Sequence, residues 1–107
     1  MDLDQEHCVT YQDGALPLSA DQVAGLAQHV PDWTVGDKSI ERKFRFDGFH
    51  GAVDFLNRVA ELAEEQDHHP DLHIYYNKAH VELSTHKLGG LSRNDFILAA
   101  KIDRLVE

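Results

Sequence analysis

Apolar residues recur at Val23, Leu26, Ala27 and Val30, a helical spacing that Pro31 stops. Ser19 with Gln22 three residues on is a capping-box pattern, so a first helix with one buried face begins there. The pattern then changes. Trp33 to Val35, the turn pair Gly36-Asp37, and Ile40 to Phe46 predict a hairpin with Ile40, Phe44 and Phe46 on one face and Glu41, Lys43 and Arg45 on the other. Arg42 falls on the apolar side, where its stem can pack while its head reaches solvent. From Phe49 the period returns to 3.6, with Phe49, Ala52, Val53, Leu56, Val59, Ala60 and Ala63 as one stripe. Pro70 disfavours helical geometry at His69, so this long helix is expected to end there and present His68 and His69 at its edge.

Leu72 to Tyr76 and His80 to Thr85 predict a second hairpin turning at Asn77-Lys78. Tyr75 and Tyr76 should then alternate, one packed and one outward. Gly89-Gly90 breaks the chain, Ser92 with Asp95 repeats the capping pattern, and Leu98, Ile102 and Leu105 carry a last helix. The order is α-β-β-α-β-β-α. Hairpins make an antiparallel sheet, and three amphipathic helices need one shared apolar surface. The expected fold is therefore two-layer α+β, a four-stranded sheet with three helices on one face. Residues 1–17 show no sustained period and contain Asp13-Gly14, so they are expected to form a loosely ordered arm before one domain at 18–107.

A chain of 107 residues can bury one core, not two. Its net charge of −9 with neutral His would repel phosphate backbones and anionic lipid, which argues against nucleic-acid or membrane partners. Cys8 is the lone cysteine, so neither an internal disulfide nor a two-Cys metal knuckle is available. The acidic start has neither the basic flank nor the apolar run of a signal peptide, and a cytoplasmic location is expected.

Charge chemistry concentrates between Glu64 and Asp95, where Glu64, His68, His69, His86 and Asp95 gather. Imidazoles beside carboxylates are suited to moving protons. Taken alone, His68 and His69 read equally as cations favoured at a helix C-terminus, and Asp95 as a capping partner. Glu64 precedes His68 by one helical turn, which puts contact between them within reach. Trp33 reads as a hydrophobic cover whose indole can border a pocket. His7, His29 and His50 read as surface. A zinc site is the rival for so many histidines, but Pro70 lies between His69 and His73 and denies them a shared helix face.

The spacing of Glu64, His68-His69-Pro70, Tyr76, His86 and Asp95 resembles the signature of the pterin-4a-carbinolamine dehydratases. The similarity extends through Trp33, Arg42 to Phe46, Val59 to Glu64 and Leu83 to Asp95, and covers the chain from Leu18 onward. The resemblance implies the same α+β fold, homodimers or homotetramers, and dehydration of 4a-hydroxytetrahydropterins formed by aromatic amino-acid hydroxylases, within tetrahydrobiopterin recycling. It further implies that His68 and His86 are the acid and base pair, that His69 assists, and that Asp95 orients His86. Glu64 would bind the polar edge of the pterin, with Pro70, Thr85 and Trp33 at the ring. Neither cofactor nor metal is expected, since the substrate carries its own leaving group. Relatives in animals also serve as dimerisation cofactors for a transcription activator, and a catalytically idle assembly role is the other alternative.

Overall fold

The structure is a computed structural model that describes residues 2–107. Within them the elements run α1 (Ala20–Ala27), β1 (Thr34–Val35), β2 (Ile40–Arg45), α2 (Phe49–Gln66), β3 (Asp71–Tyr75), β4 (Lys78–Leu83) and α3 (Arg93–Arg104), with short 3-10 turns at Leu3–Gln5 and His86–Leu88. The sheet order is β1-β2-β4-β3, antiparallel throughout. This is the expected two-layer α+β fold in the expected order. Ser19 caps α1 by accepting from the Gln22 backbone while the Gln22 side chain accepts from Ser19, as the capping pattern requires.

The sheet turns Ile40, Phe44, Ala79, Val81 and Leu83 inward, where they join Leu26 of α1, Phe55 and Val59 of α2, and Phe96, Leu98 and Ile102 of α3 in one core. Phe55 sits at its centre, with ring centroids 4.5 Å from Phe44 and 5.1 Å from Phe46. The buried face of α2 is Ala52, Phe55, Val59, Ala63 and Gln66, rotated from the expected stripe. Phe49 and Ala60 are exposed accordingly.

Three local expectations are corrected. Helix α2 ends at Gln66, not at His69, because Asp67 takes the left-handed conformation at φ 51°. The His68 amide then bonds to Ala63 O and the Asp67 amide to Glu64 O, so the cap is complete before Pro70 acts. The second hairpin turns at Tyr76-Asn77, one residue earlier than expected, with Tyr75 paired to Lys78. Tyr76 sits in that turn at φ 52°, so Tyr75 and Tyr76 are both exposed instead of alternating. Part of the N-terminal arm, between Leu3 and Val9, is held against α3 and the end of α2. Leu3 is buried, Arg104 reaches the Asp4 carboxylate at 2.7 Å, and Arg93 grips both oxygens of Glu6 at 2.8 and 2.6 Å. The arm covers the side of α3 that the sheet does not, which is why Asn94 to Ala99 are all buried.

Candidate active site

The left-handed turn at Asp67 aims His68 back toward the N-terminus of α3. There its Nε2 lies 2.6 Å from Asp95 Oδ1, and the Asp95 side chain is fully buried. The other carboxylate oxygen accepts from the Ser92 amide at 2.9 Å and from the Thr85 hydroxyl at 2.9 Å. Since Thr85 donates its proton to Asp95, the 2.7 Å contact between Thr85 and Ser92 hydroxyls has Ser92 as donor. The Thr85 hydroxyl and the Ser92 amide both donate to the carboxylate, and an acceptor opposite His68 Nε2 makes that the proton-bearing nitrogen and leaves Nδ1 free to exchange a proton. Asp95 is thus both helix cap and imidazole anchor.

His86 opens the 3-10 turn that follows β4. The bridge from Thr85 N to Gly90 O at 2.9 Å holds the base of this loop, and Gly89 at φ 70° closes it in a conformation costly for other residues. The imidazole is exposed, with the Ser84 hydroxyl 3.4 Å from its Nε2. His69 is exposed as well, its Nε2 3.7 Å from Glu64 Oε1. His68, His69, Thr85 and His86 line one open cleft of about 290 Å³, together with Asp67, Ser84, Lys87, Asn94 and the arm residues Val9, Thr10 and Tyr11.

Several sequence expectations are revised here. Asp95 is bonded to His68 and not to His86, because the end of α2 delivers His68 to the α3 cap while His86, in the turn after β4, has its contact with Ser84. Glu64 neighbours His69 and not His68, since the helix has ended before His68 and the one-turn spacing no longer applies. Trp33 does not border the cleft: it is 5% exposed, packs edge-on against Phe44, and donates its indole N–H to Asp103 at 2.8 Å. Arg42 shares that acceptor at 2.7 Å with its guanidinium 4.4 Å from the Phe44 ring centre, which explains a cation on the apolar side of β2. Glu64 and Pro70 also lie outside the cleft lining. His73 stacks on His80 on the outer sheet face, away from His69, and no group of three or more metal-ligating side chains occurs among the described residues.

Sequence reading missed the contributions of Gln66 and Asn94, two buried amides that hold the arm. Gln66 Oε1 accepts from the Cys8 amide at 2.8 Å, while Asn94 accepts from the Val9 amide at 2.9 Å and donates to Val9 O at 2.7 Å. Burial pushes the Cys8 thiol up to about 11.

A buried carboxylate anchors one imidazole, and two further imidazoles share the same open cleft of this two-layer α+β domain. Residues 16–105 match the family model for pterin 4 alpha carbinolamine dehydratase, and the chain belongs to that family. A protein from Rubrobacter xylanophilus is 45% identical over 105 residues, covering 97% of this chain and 98% of its own. One from Halorhodospira halophila is 44% identical over 107 residues, covering 98% of each. Both carry the name "Putative pterin-4-alpha-carbinolamine dehydratase". The crystal structure of a transcriptional coactivator/pterin dehydratase from Brucella melitensis superposes with a TM-score of 0.79 at 29% identity, over 85% of this chain and 99% of that one. A pterin dehydratase-like RuBisCO assembly factor of the alpha-carboxysome shares the fold, at a TM-score of 0.57 and 22% identity over 68% of this chain and 84% of its own.

Proposed function

We propose that this chain dehydrates 4a-hydroxytetrahydropterins to quinonoid dihydropterins in the recycling of tetrahydrobiopterin. The observation that carries the reading is the 2.6 Å His68–Asp95 pair opening onto a cleft shared with His69 and His86. In the reaction the C–O bond of the carbinolamine breaks and the adjacent ring nitrogen gives up its proton. A C=N bond forms and water departs, with no change in redox state. One imidazole supplies the proton to the leaving hydroxyl and another takes the ring proton. His68 and His86 are assigned as this pair, and His69, with Glu64 beside it, as the positioning group. Asp95 and Thr85 fix the His68 ring so that its free nitrogen faces one direction. Membership of the family supports the reaction class, and the cleft brings together the assigned pair of imidazoles with His69 beside them.

Following the decay of the carbinolamine absorbance with purified protein tests the reading directly. Acceleration well above the spontaneous rate, lost in a His68→Ala and His86→Ala double variant, is the expected result. A wild-type protein that leaves the spontaneous rate unchanged would sink it.

A further inference from the structure

The arm crosses the junction where the end of α2 meets the start of α3. Two consecutive backbone amides of the arm donate to opposite sides of that junction: Cys8 N to Gln66 Oε1 at 2.8 Å, and Val9 N to Asn94 Oδ1 at 2.9 Å. Asn94 returns a bond to Val9 O at 2.7 Å, and Arg93 beside it holds both carboxylate oxygens of Glu6 at 2.8 and 2.6 Å. Gln66 is the last residue of α2, two before His68, and Asn94 adjoins Asp95 in the first turn of α3. Both carboxamides are buried. One short stretch of arm therefore ties together the two segments that carry the His68–Asp95 pair. A change in their separation has to strain the bonds at Cys8 and Val9 as well as the 2.6 Å contact itself.

We infer that Gln66 and Asn94 are positioning residues for the acid–base site, acting through the arm as a brace that sets the distance between His68 and Asp95. The kinetic consequence rests on the proposed dehydratase reading; the brace itself does not. An imidazole that takes and gives a proton alternates between neutral and cationic, and its bond to a carboxylate is shorter and stronger in the cationic state. Held by that bond alone, the junction would tighten and relax with each proton. Carboxamides and backbone amides carry no charge to change, so the brace keeps one separation through both states. The arm's other anchors have no such reach. Asp4 meets Arg104 at 2.7 Å, at the opposite end of α3 from Asp95.

The test uses the full chain carrying Gln66→Met and Asn94→Leu, which approximates the side-chain shapes and removes every side-chain bond to the Cys8 and Val9 backbone. Iodoacetamide labelling of Cys8 reports release of the arm, and the proton and nitrogen resonances of the His68 ring report its bond to Asp95. The expected result is a released arm, an Nε2 proton moved upfield, and kcat lower by about tenfold at nearly constant KM. Asp4→Asn, which loosens the arm at its far anchor, should leave the His68 resonances and kcat at wild-type values. Cys8 still protected in the double variant, His68 resonances unchanged after release, or an equal shift in Asp4→Asn each overturns the brace. If the double variant does not fold, Gln66→Met alone is judged by the same two readouts. Wild-type protein without dehydratase activity defeats that reading and not the brace, which the His68 resonances then decide.

Discussion

His68 is held by Asp95 across 27 positions of sequence, at 2.6 Å, through a carboxylate that no solvent reaches. An Asp95→Asn variant keeps the volume but replaces an acceptor by an N–H donor. If the amide nitrogen faces His68, two donors meet, and the imidazole must move its proton to Nδ1, the nitrogen assigned to chemistry. If it faces the other way, the Ser92 amide or Thr85 hydroxyl loses its acceptor. Turnover should fall by about 10²–10⁴-fold, with a stability loss of roughly 1–3 kcal/mol from the unmet buried group. Nitrogen NMR of the histidine rings should show the changed tautomer of His68. Unaltered ring shifts together with wild-type turnover would remove Asp95 from any positioning role.

His86 offers the contrasting case, since its ring is exposed and makes one long contact to Ser84. Replacing it by Ala should reduce dehydration by about 10²–10⁴-fold while leaving the melting temperature and circular dichroism close to wild type. A variant that retains near full turnover would take His86 out of the reaction. The two variants thus separate by stability as well as by rate.

The sequence carries the two capping boxes, the hairpins and the α-β-β-α-β-β-α order because each depends on residues a few positions apart. The end of α2 escapes it because Asp67, not a glycine, occupies the left-handed cap, and Pro70 draws attention three residues too far. Neither the partner of Asp95 nor the arm's docking is local. The arm is fixed by bonds spanning 58 positions from Cys8 to Gln66 and 85 from Val9 to Asn94, which no periodicity records. One signal was available. Phe96, Ile97, Leu98 and Ala99 are apolar around more than one helix face, and such a helix needs a second cover besides the sheet. Trp33 was misplaced because an indole that satisfies its N–H on Asp103 inside the core has the same sequence signature as one beside a pocket.

Strand β3 is an edge, five residues long, with Ile74 and Tyr75 exposed and an unpaired row of backbone groups. Small domains usually cover such an edge by pairing. The chain is therefore expected to be a homodimer or homotetramer by light scattering at micromolar concentration. An Ile74→Pro variant, which removes a backbone donor, should shift the mass downward if β3 is the contact. A monomer mass for the wild type would count decisively against assembly.

The Cys8 thiol, pushed by burial from its ordinary 9.0 to about 11, should resist alkylation. Two orders of magnitude less thiolate predict iodoacetamide labelling about 100-fold slower than for an exposed cysteine at pH 8, with the full rate restored in denaturant. The sign for stability follows. A folded pKa above the unfolded one means that the folded chain holds the proton longer, so this contribution is present below pH 9 and is lost as pH rises toward about 11. Native labelling as fast as that of a free thiol would show that the arm does not keep Cys8 packed against Asn94 and the core.

Asp103 sits beneath the Trp33 indole and the Arg42 guanidinium, its side chain 19% exposed. Burial raises its pKa, outweighing the hydrogen bonds from Trp33 and Arg42, which lower it. The folded state therefore binds this proton more tightly than the unfolded chain. The corresponding stability is fully present below the ordinary carboxylate value of 3.8 and is lost as pH rises through the raised folded value. Asp103→Asn keeps an acceptor for both donors but cannot titrate, so wild type minus variant stability should decline with rising pH across the acid range and then level off. Asp103→Ala removes the acceptor altogether and should cost about 1–3 kcal/mol at neutral pH, without altering the pH profile of turnover, because the cluster lies outside the histidine cleft. Urea unfolding from pH 3 to 7 on the three proteins checks both points. A difference between wild type and Asp103→Asn that grows with pH would mean that the ion pair with Arg42, and not burial, governs this carboxylate.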